Sequence, residues 1–338
     1  MDEVTGTVLA GESYEPIRGR LVVEDGRIEA VEETGTESTD IVVPAFVNAH
    51  THLGDSVAKE AAVGLSLDEA VAPPGSLKHR RLAAADRAEL VSAMRRTLRF
   101  MRRTGTVSCL DFRENGVYGA RALREAAAPV DVDPFVFGSD DPVVLDVADG
   151  YGASGANDDR FDEERAACDA RGAPFAIHAG EPDATDIHPA LDLDPDLLVH
   201  MVHAEREHLD RVAEQSVPIA VCPRANTVLG VGDAPLRELL DHTTVALGTD
   251  NVMLNAPSMF REMAYAAKRF DVSSREVLRM ATAAGAEIAG LDCGVIEPGR
   301  RAALVVLDGA SDNLADTEDP VRAVVRRASA LDVKRVVG

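Results

Sequence analysis

Val42-Val43-Pro44-Ala45-Phe46-Val47-Asn48-Ala49-His50-Thr51-His52 is an apolar run that ends in His-x-His. Read as a buried strand, it points His50 and His52 the same way, because side chains alternate along a strand. Two imidazoles side by side at a strand end are well placed to bind a metal. That reading stands only if the rest of a coordination shell follows downstream.

Outward from this run, the middle of the chain alternates strands and helices. Apolar strand candidates are Ile41–Asn48, Thr106–Asp111, Pro134–Gly138, Pro174–His178, Leu197–His200, Pro218–Cys222 and Val245–Thr249, with a weaker one near Val143–Val147. Helical stretches such as Ala85–Arg103, Glu163–Arg171, Ala234–Asp241, Ser258–Phe270 and Ser273–Leu291 separate or follow them. Such alternation means parallel strands and predicts an α/β fold, an eight-stranded (β/α)8 barrel. An open doubly wound sheet is the alternative, weakened because no Gly-rich phosphate loop follows any strand. The two ends differ from the middle. Short strand-like runs (7–10, 20–23) flank the hairpin signal Asp25-Gly26. The far end has a turn at Glu297-Pro298-Gly299-Arg300, a strand at Ala303–Leu307 and another expected at Arg322–Val325. Residues 1–43 and 293–338 are therefore expected to form a small β-sandwich domain from both termini, around a barrel of residues 44–292.

The 338 residues are 46% hydrophobic, enough for a sizeable core, and only 4% aromatic, so that core is aliphatic. No apolar run approaches a membrane span, and Met1-Asp2-Glu3 does not open a signal peptide, so a cytoplasmic protein is expected. The four cysteines form no CxxC pair and read as reduced thiols. A net charge of −23 opposes nucleic acid and anionic membranes and leaves a small-molecule partner. A homo-oligomer is left open. Only four of the 35 basic residues are lysine, and this acidic, lysine-poor composition resembles that of halophilic proteins, whose self-repulsion salt screens.

In a β/α barrel the chemistry sits at the carboxyl ends of the strands. The first strand ends in His50 and His52, the second in Asp111 and Arg113, and the fifth in His178-Ala179-Gly180-Glu181. The sixth ends in His200, the seventh in Cys222-Pro223-Arg224-Ala225-Asn226 and the eighth in Asp250. Histidines with a carboxylate suit one divalent ion of borderline softness, Zn²⁺ first and Fe²⁺ second. No lysine lies between Lys78 and Lys268 to bridge a second metal.

These motifs, with Leu247-Gly248-Thr249-Asp250-Asn251, Ala281-Thr282-Ala283-Ala284-Gly285-Ala286 and the returning segment Gly299–Asp308, resemble the amidohydrolase superfamily over essentially the whole chain, and within it the mononuclear deaminase branch. The resemblance implies His50, His52, His178 and Asp250 as metal ligands. It implies Glu181 as the acid/base that protonates a substrate ring nitrogen, His200 as the group that orients the attacking water, and Asp250 as its proton acceptor. The implied reaction is hydrolytic deamination of a nitrogen heterocycle, with cleavage of another C–N or a C–Cl bond as the alternative. A non-catalytic scaffold on this fold should have lost ligands, and every expected position is filled. Arg113, Arg224, Asn226 and Asn251 are candidate substrate contacts, with a structural carboxylate as the alternative partner of either arginine. The segment 54–81 serves as the lid, and Asn251, where adenosine deaminases proper carry a carboxylate, argues against adenosine itself.

Overall fold

A computed structural model of the chain describes residues 2–72 and 75–338; Met1 and, within the expected lid, Pro73 and Pro74 lie outside them. The parallel strands are β1 (Phe46–His52), β2 (Thr106–Arg113), β3 (Asp133–Gly138), β4 (Gly150–Ala153), β5 (Phe175–Ala179), β6 (Leu197–His200) and β7 (Ile219–Val221). The eighth, β8, is one stretch in two pieces. Val245–Leu247 pairs with β7 and Asp250–Asn251 pairs with β1. Between the pieces, the Gly248 N–H donates to Val221 O at 2.9 Å and the Thr249 N–H to His50 O at 3.0 Å, so the sheet closes on itself. Asn48 spans that seam, its amide Nδ2 donating to Thr249 Oγ1 at 2.7 Å. All eight residues of β2 are buried, as expected of a strand covered on both faces.

The helices follow the apolar period. Arg87–Arg103 starts two residues later than expected because the Asp86 carboxylate caps it, accepting the Glu89 N–H at 2.8 Å. Leu90, Met94, Leu98 and Met101 of this helix face the barrel.

Three expectations are corrected. The fourth strand is not near Val143–Val147, where Pro142 and the Asp141 cap on the Val143 N–H wind a 3₁₀ turn. It is Gly150–Ala153, a strand without β-branched residues. A Cβ at Gly150 would lie 2.6 Å from Pro174 O and one at Gly152 2.7 Å from Phe112, so neighbouring strands exclude side chains there. Arg322–Val325 is not a strand but part of the helix Pro320–Arg326. Pro320 opens it, Asp319 caps it, and Val321, Val324 and Val325 share its buried face. The expected helix Ser273–Leu291 is broken at Thr282 into Ser274–Ala281 and Ala283–Ile288. There Thr282 Oγ1 donates to Leu278 O, and the Tyr14 hydroxyl lies 2.8 Å from the same oxygen.

Both chain ends meet in one six-stranded sheet, in the order Val333–Val337, Leu304–Leu307, Ile41–Pro44, Asp2–Ala10, Glu15–Glu24 and Arg27–Glu33. The expected sandwich thus takes the form of a single hydrogen-bonded sheet with apolar side chains on both faces. Ile41, Val43, Val305 and Leu307 join the barrel core, while the alternating Val42, Leu304 and Val306 join a second core with Val8, Leu21 and Ile28. The apolar run that opened the sequence is therefore two strands, split at Ala45, whose N–H donates to Ala303 O. Among the described residues, no helix is long and apolar enough to cross a membrane.

Candidate active site

Five groups converge at the carboxyl end of the barrel. His50 and His52 close β1, His178 lies in β5, His200 closes β6 and Asp250 resumes β8. His50 Nε2 is 3.3 Å and His52 Nε2 is 3.6 Å from Asp250 Oδ1. The His50 ring centre is 5.0 Å from that of His178 and 5.8 Å from that of His200. Potential ligand atoms lie within 4.8 Å of one another in three overlapping sets: His50, His52 and Asp250; His50, His178 and His200; and Glu181, His200 and Asp250. His200 at φ 77° and Asp250 at φ 58° adopt left-handed backbone, which costs a non-glycine residue about 1–3 kcal/mol and concentrates at functional sites. Gly248 must be glycine, since a Cβ there would lie 2.6 Å from the Cβ of His50.

The surroundings fix how the rings point. His178 Nδ1 donates to Ala153 O at 2.8 Å, and His200 Nδ1 to Asn226 Oδ1 at 3.1 Å. His52 Nδ1 lies 2.8 Å from Glu114 Oε1. In each ring a proton on Nδ1 leaves the Nε2 lone pair facing the centre, the tautomer a metal requires. Among the described residues, neither nitrogen of buried His50 has a hydrogen-bond partner. Burial pushes all four imidazoles toward the neutral form, His52 down to about 4 and His178 well below the ordinary range. Burial would raise the Asp250 carboxyl, but the close approach of His50 Nε2 and the neighbouring histidines hold it below the usual carboxylate range. Neutral imidazoles, one ionised carboxylate and an unpartnered buried histidine fit a divalent zinc-type ion.

Glu181 stands 3.6 Å from His200 Nε2. Burial, then the charge of Asp250, raises its carboxyl well above the ordinary range, which favours the protonated form. Two neighbouring carboxyls whose proton affinities are pushed in opposite directions can form an acid–base pair.

Each of the four expected substrate contacts has a protein partner, although Nδ2 of buried Asn226 has none among the described residues. Arg113 is buried, ion-paired with Asp111 at 3.4 Å and with Glu114. Arg224 holds Glu262 twice, through Nε at 2.6 Å and through its backbone N–H at 3.0 Å, and donates to Ala256 O. Asn226 orients His200. Asn251 Nδ2 donates to Asp55 Oδ2 at 2.9 Å, and burial raises that carboxyl to about 8. Sequence reasoning missed Glu114, Glu262 and the site role of Lys78, whose Nζ pairs with Glu114. Glu114 follows Arg113 directly at the end of β2, and that adjacency was the available signal.

A model of the amidohydrolase family matches residues 41–146 and 130–337, which is nearly the entire chain. The chain belongs to the amidohydrolase family. Within the family, it is 33% identical to a putative aminohydrolase of Methanothermobacter thermautotrophicus, over 97% of this chain and 95% of that one. It is 28% identical to the 5-methylthioadenosine/S-adenosylhomocysteine deaminase of Haloquadratum walsbyi, over 88% of this chain and 77% of that one. Its fold is similar to that of the zinc-complexed atrazine chlorohydrolase TrzN from Arthrobacter aurescens TC1, with a TM-score of 0.83 at 20% identity, covering 99% of this chain and 93% of that one.

Proposed function

We propose that the chain is a metal-dependent hydrolase that removes an amino group, as ammonia, from a nitrogen heterocycle of nucleobase or nucleoside type. The observation that carries this reading is the convergence of four buried imidazoles and Asp250 beside Glu181, whose carboxyl burial raises well above the ordinary range. His50, His52, His178 and Asp250 would hold one ion, zinc in preference to iron because three imidazoles and a carboxylate are zinc-type ligands. When bound, such an ion supplies Lewis acidity and a nucleophilic oxygen at neutral pH.

The remaining work belongs to the protein. His200, fixed by Asn226, presents Nε2 as an acceptor that orients the attacking water. Ionised Asp250 takes a proton from that water. Glu181 donates its proton to the ring nitrogen next to the attacked carbon, which turns an amidine-like ring into a better electrophile, and can then shuttle a proton to the departing amine. The deaminase relative supports the amino heterocycle as substrate. We also take residues 1–43 and 293–338 as one structural unit, held together by the second core, and 44–292 as the catalytic unit. The protein works as a halophilic cytoplasmic enzyme on a small molecule.

The test is ammonia release in molar KCl from zinc-loaded protein, across purines, pyrimidines, pterins and their nucleosides, 5-methylthioadenosine included. Ammonia from at least one, abolished by Glu181→Gln with zinc retained, is the expected result. Release of chloride from a chlorotriazine without any ammonia would replace this reading with the C–Cl alternative.

A further inference from the structure

Lys78 is buried at 5% exposure on the helix Leu77–Ala84. That helix is lightly held, for Lys78 and Leu82, one turn apart, are its only buried residues. A buried ammonium is costly unless paired. Its partner is Glu114 Oε1, the same oxygen that lies 2.8 Å from His52 Nδ1, while Lys78 Nζ is itself 2.9 Å from that nitrogen. The other oxygen of Glu114 is held by buried Arg113.

We infer that Lys78 is a positioning residue: through Glu114 it fixes His52 with Nε2 toward the metal, and by the same contact ties the helix Leu77–Ala84 to the occupied site. This rests on the metal reading above. One carboxylate oxygen serves both the ligand and the helix, so the two are linked thermodynamically. An ion on Nε2 would hold the proton on Nδ1, which then donates to Glu114 and cannot accept from Lys78, so Lys78 keeps Glu114 as its acceptor and a fixed Glu114 as its anchor. The helix docks more firmly when the ion is bound, and the ion binds more tightly when the helix is docked.

The experiment is hydrogen exchange at the amides of residues 80–85, whose first and last members donate to Ser76 O and Arg81 O, with and without zinc, in the full chain and in Lys78→Met. Zinc affinity is read in parallel by chelator competition. In the wild type, zinc is expected to slow exchange of these amides by about tenfold or more; in Lys78→Met the protection should fall below about twofold while zinc still binds. Lys78→Arg, which keeps the charge, should recover part of the protection, and Glu114→Gln should weaken zinc binding by about 10–100-fold. A merely structural lysine would speed exchange equally with and without zinc. Equal zinc protection in wild type and Lys78→Met overturns the link, as does an unchanged zinc affinity in Glu114→Gln. A wild type that binds no zinc fails the metal reading itself, and this inference falls with it.

Discussion

Arg224 was a candidate for holding substrate, and the fold gives it another task that can be tested by its removal. Its guanidinium and backbone N–H both serve Glu262, whose side chain is fully buried while that of Arg224 is 11% exposed. In Arg224→Met the carboxylate of Glu262 keeps one backbone donor and loses its countercharge. Breaking a buried pair from one side costs about 3–5 kcal/mol. At about 2.1 cal/mol/K per residue, a chain of 338 residues has an unfolding entropy near 0.7 kcal/mol/K, so the melting midpoint should drop by about 4–7 °C. Replacing both partners leaves no buried charge, so Arg224→Met with Glu262→Leu should recover more than half of the loss. Calorimetry in molar KCl with zinc present measures both. A single variant that melts within about 1 °C of wild type, yet has lost affinity for its substrate, would refute the structural assignment and restore Arg224 to the pocket.

Tyr14 supplies a pH test. Burial raises its hydroxyl from 10.0 to about 12, so the folded state favours the neutral phenol; that stability is complete below pH 10 and is lost as pH rises to 12. Wild type should therefore lose about 2–3 kcal/mol more than Tyr14→Phe across this window, read by denaturant unfolding, and parallel curves would contradict the burial. Gly248→Ala pushes a methyl into the Cβ of His50 and should cost about 1–3 kcal/mol of stability and about tenfold or more in zinc affinity, checked by melting and chelator competition. The net charge of −23 predicts a melting midpoint that climbs from low to molar KCl; a flat curve would remove the halophilic reading.

What the sequence made legible is what local pattern encodes. The strand-end residues His50, His52, His178, His200 and Asp250 were readable because barrel geometry turns strand order into spatial neighbourhood. The strand Gly150–Ala153 was not, since its glycines answer to Phe112, Phe137 and Pro174 on other strands rather than to any local preference. The helix Pro320–Arg326 hid behind its valines, because the Asp319 cap and Pro320 outweigh β-branched propensity. Thr282 breaks a good helical pattern through a contact with Tyr14, 268 positions away. The partners of the charged residues were equally remote: Glu262 lies 38 positions from Arg224, and Lys78 meets Glu114 only once the barrel is closed. A strand-end arginine shows its chemistry in the sequence and its partner only in the fold.

The most direct test of the account is the metal content of the protein after zinc loading and desalting, compared with Asp250→Asn and His178→Ala. The wild type should retain about one zinc per chain and each variant much less than one. A wild type that retains no zinc, or variants that retain as much as the wild type, would contradict the assignment of these residues as the metal centre on which the proposed chemistry depends.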